Sequence, residues 1–191
     1  MSIRHAVTVV AFASAIVSHA ASNVDSQCVT ALQKALCSSA TWTMERRFSE
    51  SVRALVSTGT VDCVVGTGIQ WRVLHPFPSS VEMTVDSMIF EDEDGRRVKK
   101  LADMPYYSVI REKSDAFARG DTSAFDELFE MSSSVPDCGG WVLTMKPKQS
   151  AMRRLFTSVE LSGDQTFTNA VLRAGDGGVS TIRFMERPRD K

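Results

Sequence analysis

Apolar and polar residues alternate with a period of two over most of this chain, and the alternation is clearest where glycine and proline punctuate it. Between Gly59 and Pro76, Val61, Cys63 and Val65 take every second place before Gly66, and Ile69, Trp71 and Val73 do so after Gly68. That is the period of strands with one face withdrawn from water. Upstream, Trp42, Met44 and Phe48 alternate in part with Thr43, Glu45 and Arg47. Downstream, Val81, Met83 and Val85 alternate with Glu82, Thr84 and Asp86, and Asp94-Gly95 marks a hairpin between Phe90 and Val98. Trp141, Leu143 and Met145 alternate up to Pro147, and residues 155–161, 166–173 and 179–186 complete a meander with turns at 162–164 and 175–178.

Helical spacing appears at two places. Ser26 is placed to cap a helix in which Cys28, Val29, Leu32, Ala35 and Leu36 form one stripe. Residues 115–131 carry Phe117, Phe125, Leu128 and Phe129 around a break at Gly120-Asp121. About ten strands with a helix in front and one or two in the middle, and no βαβ alternation, repeat or linker, predict an α+β fold with a single antiparallel sheet. A long meander must curl to hide its apolar face, and the helical segments are available to cover the opening.

The N-terminus changes the picture of where the chain works. Arg4 precedes an apolar run over residues 6–17 that is too short to span a bilayer as a helix, and Ser18-His19-Ala20 fits the small-x-small pattern of signal peptidase sites. Residues 1–20 are therefore expected to be a secretory signal peptide cleaved near Ala20, with residues 21–191 forming one domain. An N-terminal anchor is the alternative, disfavoured by the shortness of the run. Of the 191 residues, 171 then remain, and loss of Arg4 moves the net charge from −1 to −2. So small a charge leaves no basic face for nucleic acid.

All four cysteines, Cys28, Cys37, Cys63 and Cys138, lie in the exported part, and an even count in that setting suggests two disulfides. Unpaired buried thiols are the alternative. Nine residues along one helix separate Cys28 from Cys37 by about 13 Å and half a turn, which disfavours that pair. No CxxC pair points to zinc or redox chemistry.

Candidate chemistry is sparse. Beyond the signal the one histidine is His75, set before Pro76, so neither a histidine-based triad nor a two-histidine metal site is available. The acidic run 91–94 lacks the remaining calcium ligands at loop spacing and reads as a solvated hairpin tip balanced by Arg96, Arg97, Lys99 and Lys100. No catalytic residue, metal or cofactor is expected. The positive signal is apolar: Trp42, Trp71 and Trp141 on different strands, and eight methionines besides Met1, the adaptable filler of irregular apolar surfaces. For any one of them, ordinary core packing is the competing reading.

In this order along the chain, Gly59, Ile69, Trp71 and Pro76, then Gly120-Asp121 with Phe125 and Phe129, then the run from Trp141 to Pro147, then Gly175-Asp176 leading to Thr181-Ile182-Arg183-Phe184, resemble the landmarks of the periplasmic outer-membrane lipoprotein carrier (LolA-like) family, in a divergent branch. The resemblance implies an unclosed antiparallel β-barrel with a helical lid. Its apolar interior would hold lipoprotein acyl chains, or another lipid, in transit from an inner-membrane donor complex to an outer-membrane acceptor, as a monomer and without cofactor or covalent step. Residues matching the cavity face are Val61, Cys63, Val65, Ile69 and Trp71, to which alternation adds Val81, Met83, Val85, Leu143 and Met145. One departure stands out: the arginine that latches the lid in the best-known carriers is matched here by Val65. A lid held by apolar contacts, or tethered by a disulfide from Cys28 or Cys37 to the sheet, is the substitute; Cys28 with Cys63 is favoured, and Cys138 stays open as a partner. A non-transporting envelope sensor, or an accessory subunit of similar fold in a lipid or glycolipid assembly system, is the alternative. A secreted hydrolase is a third class.

Overall fold

In a computed structural model the chain forms one curled antiparallel sheet with helical segments packed on its concave side. The structure describes residues 28, 30–32, 39–48, 53–64, 68–118, 123–135 and 140–187. The signal peptide expected at residues 1–20, Cys37, Val65 and Cys138 lie outside them, as does the side chain of Cys63.

Among the described residues eleven strands follow in chain order. The first six are β1 (Ala40–Arg47), β2 (Leu55–Val64), β3 (Gly68–His75), β4 (Ser79–Met83), β5 (Ser87–Asp92) and β6 (Gly95–Lys100). A 3-10 turn (Leu101–Asp103) and helix α1 (Pro105–Ala118) come next, then β7 (Phe129–Ser134), β8 (Trp141–Pro147) and a short helix α2 (Ser150–Arg153). The chain closes with β9 (Phe156–Gly163), β10 (Phe167–Ala174) and β11 (Val179–Glu186). Their order across the sheet is β6-β5-β4-β3-β2-β1-β11-β10-β9-β8-β7. Two meanders are thus joined where the first strand pairs antiparallel with the last, Trp42 opposite Phe184. The sheet is not closed, and β6 and β7 are its edges.

Period-two burial follows the sequence pattern. In β1, Ala40, Trp42 and Arg46 are buried and Met44 is half-buried, while Thr43 and Arg47 are exposed. In β8, Trp141, Leu143, Met145 and Pro147 are buried. These inward residues, with those of β3, β4, β5 and β9 to β11, make one continuous core that also takes in the helical residues Cys28, Ala31 and Leu32. Strand β6 is exposed throughout, with Arg96, Arg97, Lys99 and Lys100 along an edge that charge protects from pairing with other chains.

The helix differs from its expected place. Residues 115–131 were to be helical, but α1 starts at Pro105 and ends at Ala118, residues 123–128 are turns, and β7 follows. Proline has no N–H to lose in the first helical turn, so Pro105 is well placed to begin a helix. Tyr107, Val109 and Ala116 then pack against the core. Phe129 and Met131 belong to a strand instead, because Phe129 pairs with Pro147 and Met131 with Met145, which adds β7 to the ten strands expected. The segment between β6 and β7 joins the two edges of the sheet, and Tyr107, Val109 and Ala116 set α1 on the side of the sheet that carries the core.

Candidate functional site

An aromatic chain crosses the concave face. Trp42 stacks on Trp71 at 4.5 Å between ring centroids and 20° between planes, Trp71 meets Phe184 edge-on at 6.1 Å, Phe184 lies 4.9 Å from Phe167, and Phe167 lies 6.4 Å from Trp141. The first link depends on Gly59. Trp42 lies opposite Gly59 across the β1–β2 pair, and a methyl group at Gly59 would overlap both the Trp42 ring and the Arg72 carbonyl oxygen. Glycine there lets the indole lie across β2 and reach β3, a fit that contact distances demand rather than backbone torsion.

At one end of this face is a cavity of about 1070 Å³. It is lined on the inward side by Met44, Arg46, Leu55, Ser57 and Val73 and wraps onto Gln70, Arg72, Leu74, Ser80 and Glu91, which alternate to the opposite face, with Phe77 at its border and the acidic hairpin residues Asp92, Glu93 and Asp94 at its lip. Asp92 is held by an ion pair with Arg97 at 2.5 Å. The volume matches the upper end of the about 300–1,000 Å³ found for small-molecule sites.

Two polar groups line the cavity without partners. Arg46 is 7% exposed, and its Nε and Nη2 have no hydrogen-bond partner. Its guanidinium lies 4.6 Å from the Phe48 ring centroid, an attraction to the ring face that leaves the N–H groups unused. Burial pulls the Arg46 pKa down, and the carboxylate of Asp176 opposes that shift. The Ser57 hydroxyl, on the neighbouring strand, is likewise buried and unpartnered, as is the Trp42 Nε1 further along the same face of β1. Few buried polar atoms in native proteins lack a partner, so three such residues on one face need an explanation.

The residues expected to face a cavity fall in other parts of β2 to β4, and on β8, which the cavity does not touch. Trp71, Val81, Met83, Leu143 and Met145 are buried in the core, and Val61 and Ile69 are half-buried against it. Cys63 pairs through its backbone with Ile69. Val85 is a correction: it is 66% exposed, because β4 stops at Met83 and residues 84–86 form the turn into β5. Thr84 makes that turn, its hydroxyl donating to the Ser87 carbonyl and accepting the Ser87 N–H, both at 3.1 Å. None of these residues lines the 1070 Å³ cavity, which draws on the opposite ends of β2 and β4 and, on β3, on Gln70 and Arg72 between them as well as on Val73 and Leu74. Arg46 is not among the residues expected from the sequence, yet the signal is present. Counting in twos from Ala40 through Trp42 and Met44 lands on Arg46, a charge in phase with an apolar face.

Among the cysteines, Cys28 is fully buried in the core. His75 is exposed at the end of β3. Among the described residues no group of three or more His, Cys, Asp and Glu side chains is arranged to hold a metal ion, and no helix is long and apolar enough to cross a membrane.

A single unclosed antiparallel sheet, curled over an apolar face with α1 packed on it and a cavity at one end, defines the class: an open β-barrel. Among solved structures the chain is similar to a LolA superfamily protein from Nitrosomonas europaea, at 10% identity and a TM-score of 0.43, over 81% of this chain and 86% of that one. It is also similar to a chain of the Pseudomonas aeruginosa MucA/MucB complex, at 15% identity and a TM-score of 0.41, where the match takes 82% of this chain but 53% of the other. LprF from Mycobacterium bovis is similar at 11% identity and a TM-score of 0.37, over 83% and 90% of the two chains. No family model and no curated protein matches the sequence. The fold itself rests on the strand order and register given above.

Proposed function

We propose that this protein binds the acyl chains of a lipoprotein or another lipid in the hollow of its open barrel, and carries them through the periplasm toward the outer membrane without covalent chemistry. The observation that carries the reading is the cavity of about 1070 Å³ at the end of an apolar concave face, bordered by Met44, Leu55, Val73 and Phe77. Burial of a methylene contributes about 0.8 kcal/mol, so a chain of about a dozen supplies ample affinity. Val61 and Ile69, half-buried further along β2 and β3, would extend the apolar floor toward Trp71, Val81 and Met83.

The sequence supports the setting: an export signal over residues 1–20, a single domain over 21–191, and landmarks resembling carriers that receive cargo from an inner-membrane complex and pass it to an outer-membrane acceptor. Release must be cheap in such a cycle, and a lid seated by α1 residues that are only half-buried, Tyr107, Val109 and Ala116, suits cheap opening better than a polar latch would.

Lipid extraction and mass spectrometry of protein isolated from periplasm, followed by uptake of a fluorescent fatty acid and its transfer to acceptor vesicles, tests the reading. Co-purifying lipid and transfer faster than spontaneous release are expected. Protein that repeatedly carries no lipid and takes none up sinks it, and uptake without transfer favours the envelope sensor or accessory subunit.

A further inference from the structure

Resting on that lipid-binding reading, we infer that the cavity receives the anionic oxygen head of an acyl lipid, a carboxylate or a phosphate, against Arg46, with the Ser57 hydroxyl as a second donor. Arg46 is the buried charge of the inner face among the described residues, and its Nε and Nη2 meet no acceptor. A guanidinium offers a planar fork of donors that matches a carboxylate or phosphate, and hydrogen bonds to ionised acceptors are the stronger kind. Asp176 is the carboxylate that acts on Arg46 through space, but it makes no ion pair with it; its Oδ1 accepts the Gly178 N–H at 2.9 Å. Ser57 stands opposite Met44 and Arg46 opposite Leu55 in the β1–β2 register, which sets hydroxyl and guanidinium diagonally on one face with aliphatic side chains between them.

A ligand that is only hydrocarbon would leave these donors as they are. A head group rich in acceptor oxygens satisfies them while its chain follows the apolar floor. The lip itself offers an anion no place: Asp92 is paired with Arg97, while Glu93 and Asp94 have no ion pair among the described residues and stand exposed. An anion is thus drawn to the depth of the cavity rather than to its mouth.

Displacement of a fluorescent fatty acid by three lipids sharing one chain separates the possibilities: oleate, 1-oleoyl-lysophosphatidate and uncharged 1-oleoylglycerol. Wild-type protein should bind at least one of the charged lipids about tenfold or more tightly than 1-oleoylglycerol. A preference for oleate assigns a carboxylate to Arg46, and one for the lysophospholipid a phosphate. Arg46→Met should bring both charged lipids down to the level of 1-oleoylglycerol, and Arg46→Lys should keep part of the preference. Equal binding of all three by the wild type overturns the head-group site and leaves lipid binding standing, and that outcome needs no variant to fold. A preference that survives Arg46→Met also overturns it. Failure of every lipid to bind overturns both.

Discussion

The two meanders of this sheet share one alternating pattern but treat their inner faces differently. On the β7–β11 side, Phe125, Trp141, Leu143, Met145, Phe156 and Leu161 are all within 1% of complete burial, and the polar atoms among them are matched. Trp141 Nε1 donates to the Asp164 carbonyl at 2.8 Å, and Arg153 Nη1 donates to the carbonyls of Pro147 and Lys148 at 3.2 and 2.5 Å. Phe129 bridges Phe125 and Phe156 with centroid distances of 6.2 Å on both sides. On the β1–β6 side the face is filled as far as the Trp42–Trp71 stack and then opens into the cavity, where Arg46 and Ser57 are unmatched. One half buries its large side chains almost completely, and the other leaves the buried donors of Arg46 and the hydroxyl of Ser57 unmatched beside a cavity. Each such departure calls for its own explanation, and a bound head group is the one proposed above.

Substitutions on the two sides should therefore differ in size and in sign. Trp71→Glu should have the largest effect, more than about 5 kcal/mol, because it places an unpaired charge where a 1% exposed indole is held between Trp42 and Phe184. A cooperative thermal melt should vanish. A melt that survives with acyl binding alone abolished would make Trp71 a cavity wall rather than core. Phe156→Ala, in the filled half, should lower unfolding free energy in a denaturant titration by about 3–5 kcal/mol and leave lipid affinity unchanged.

Gly59→Ala should cost about 1–3 kcal/mol, since the added methyl pushes the Trp42 ring and the Arg72 carbonyl away from β2; a loss of the far-ultraviolet exciton couplet of the tryptophan pair would report it. Arg46→Met should have the opposite sign in the unliganded protein, a gain of about 1–3 kcal/mol from removing unmatched buried donors. Destabilisation by that change would place a partner on Arg46 and close the contrast between the halves. Smallest is Val85→Thr, within about 0.5 kcal/mol and without effect on lipid binding, as suits an exposed turn residue.

The strands are legible wherever alternation is bounded by glycine or proline, as from Gly68 to Pro76, from Trp141 to Pro147 and in the last three strands, because burial of one face imposes the period directly. β7 is hidden because its sequence after Met131 is three serines, which carry no apolar alternation; its pairing with β8 is a tertiary decision. The same neighbourhood misplaces the helix, since Phe125 and Phe129 at a spacing of four also suit a turn feeding a strand. Val85 continues the alternation in sequence, but Thr84 ends the strand by building the turn. Arg46 is readable as an in-phase charge, but alternation alone does not say at which end of a curled face the side chains stop meeting one another.

The most direct measurement is photo-crosslinking of a diazirine-bearing fatty acid to the wild-type protein, followed by peptide mapping of the adducts. Label concentrated on residues 44–48, 55–57 and 73–80, where β1 to β4 border the cavity, is expected. Label on β8 to β10, or spread evenly over exposed apolar side chains such as Val85 and Met185, would contradict it.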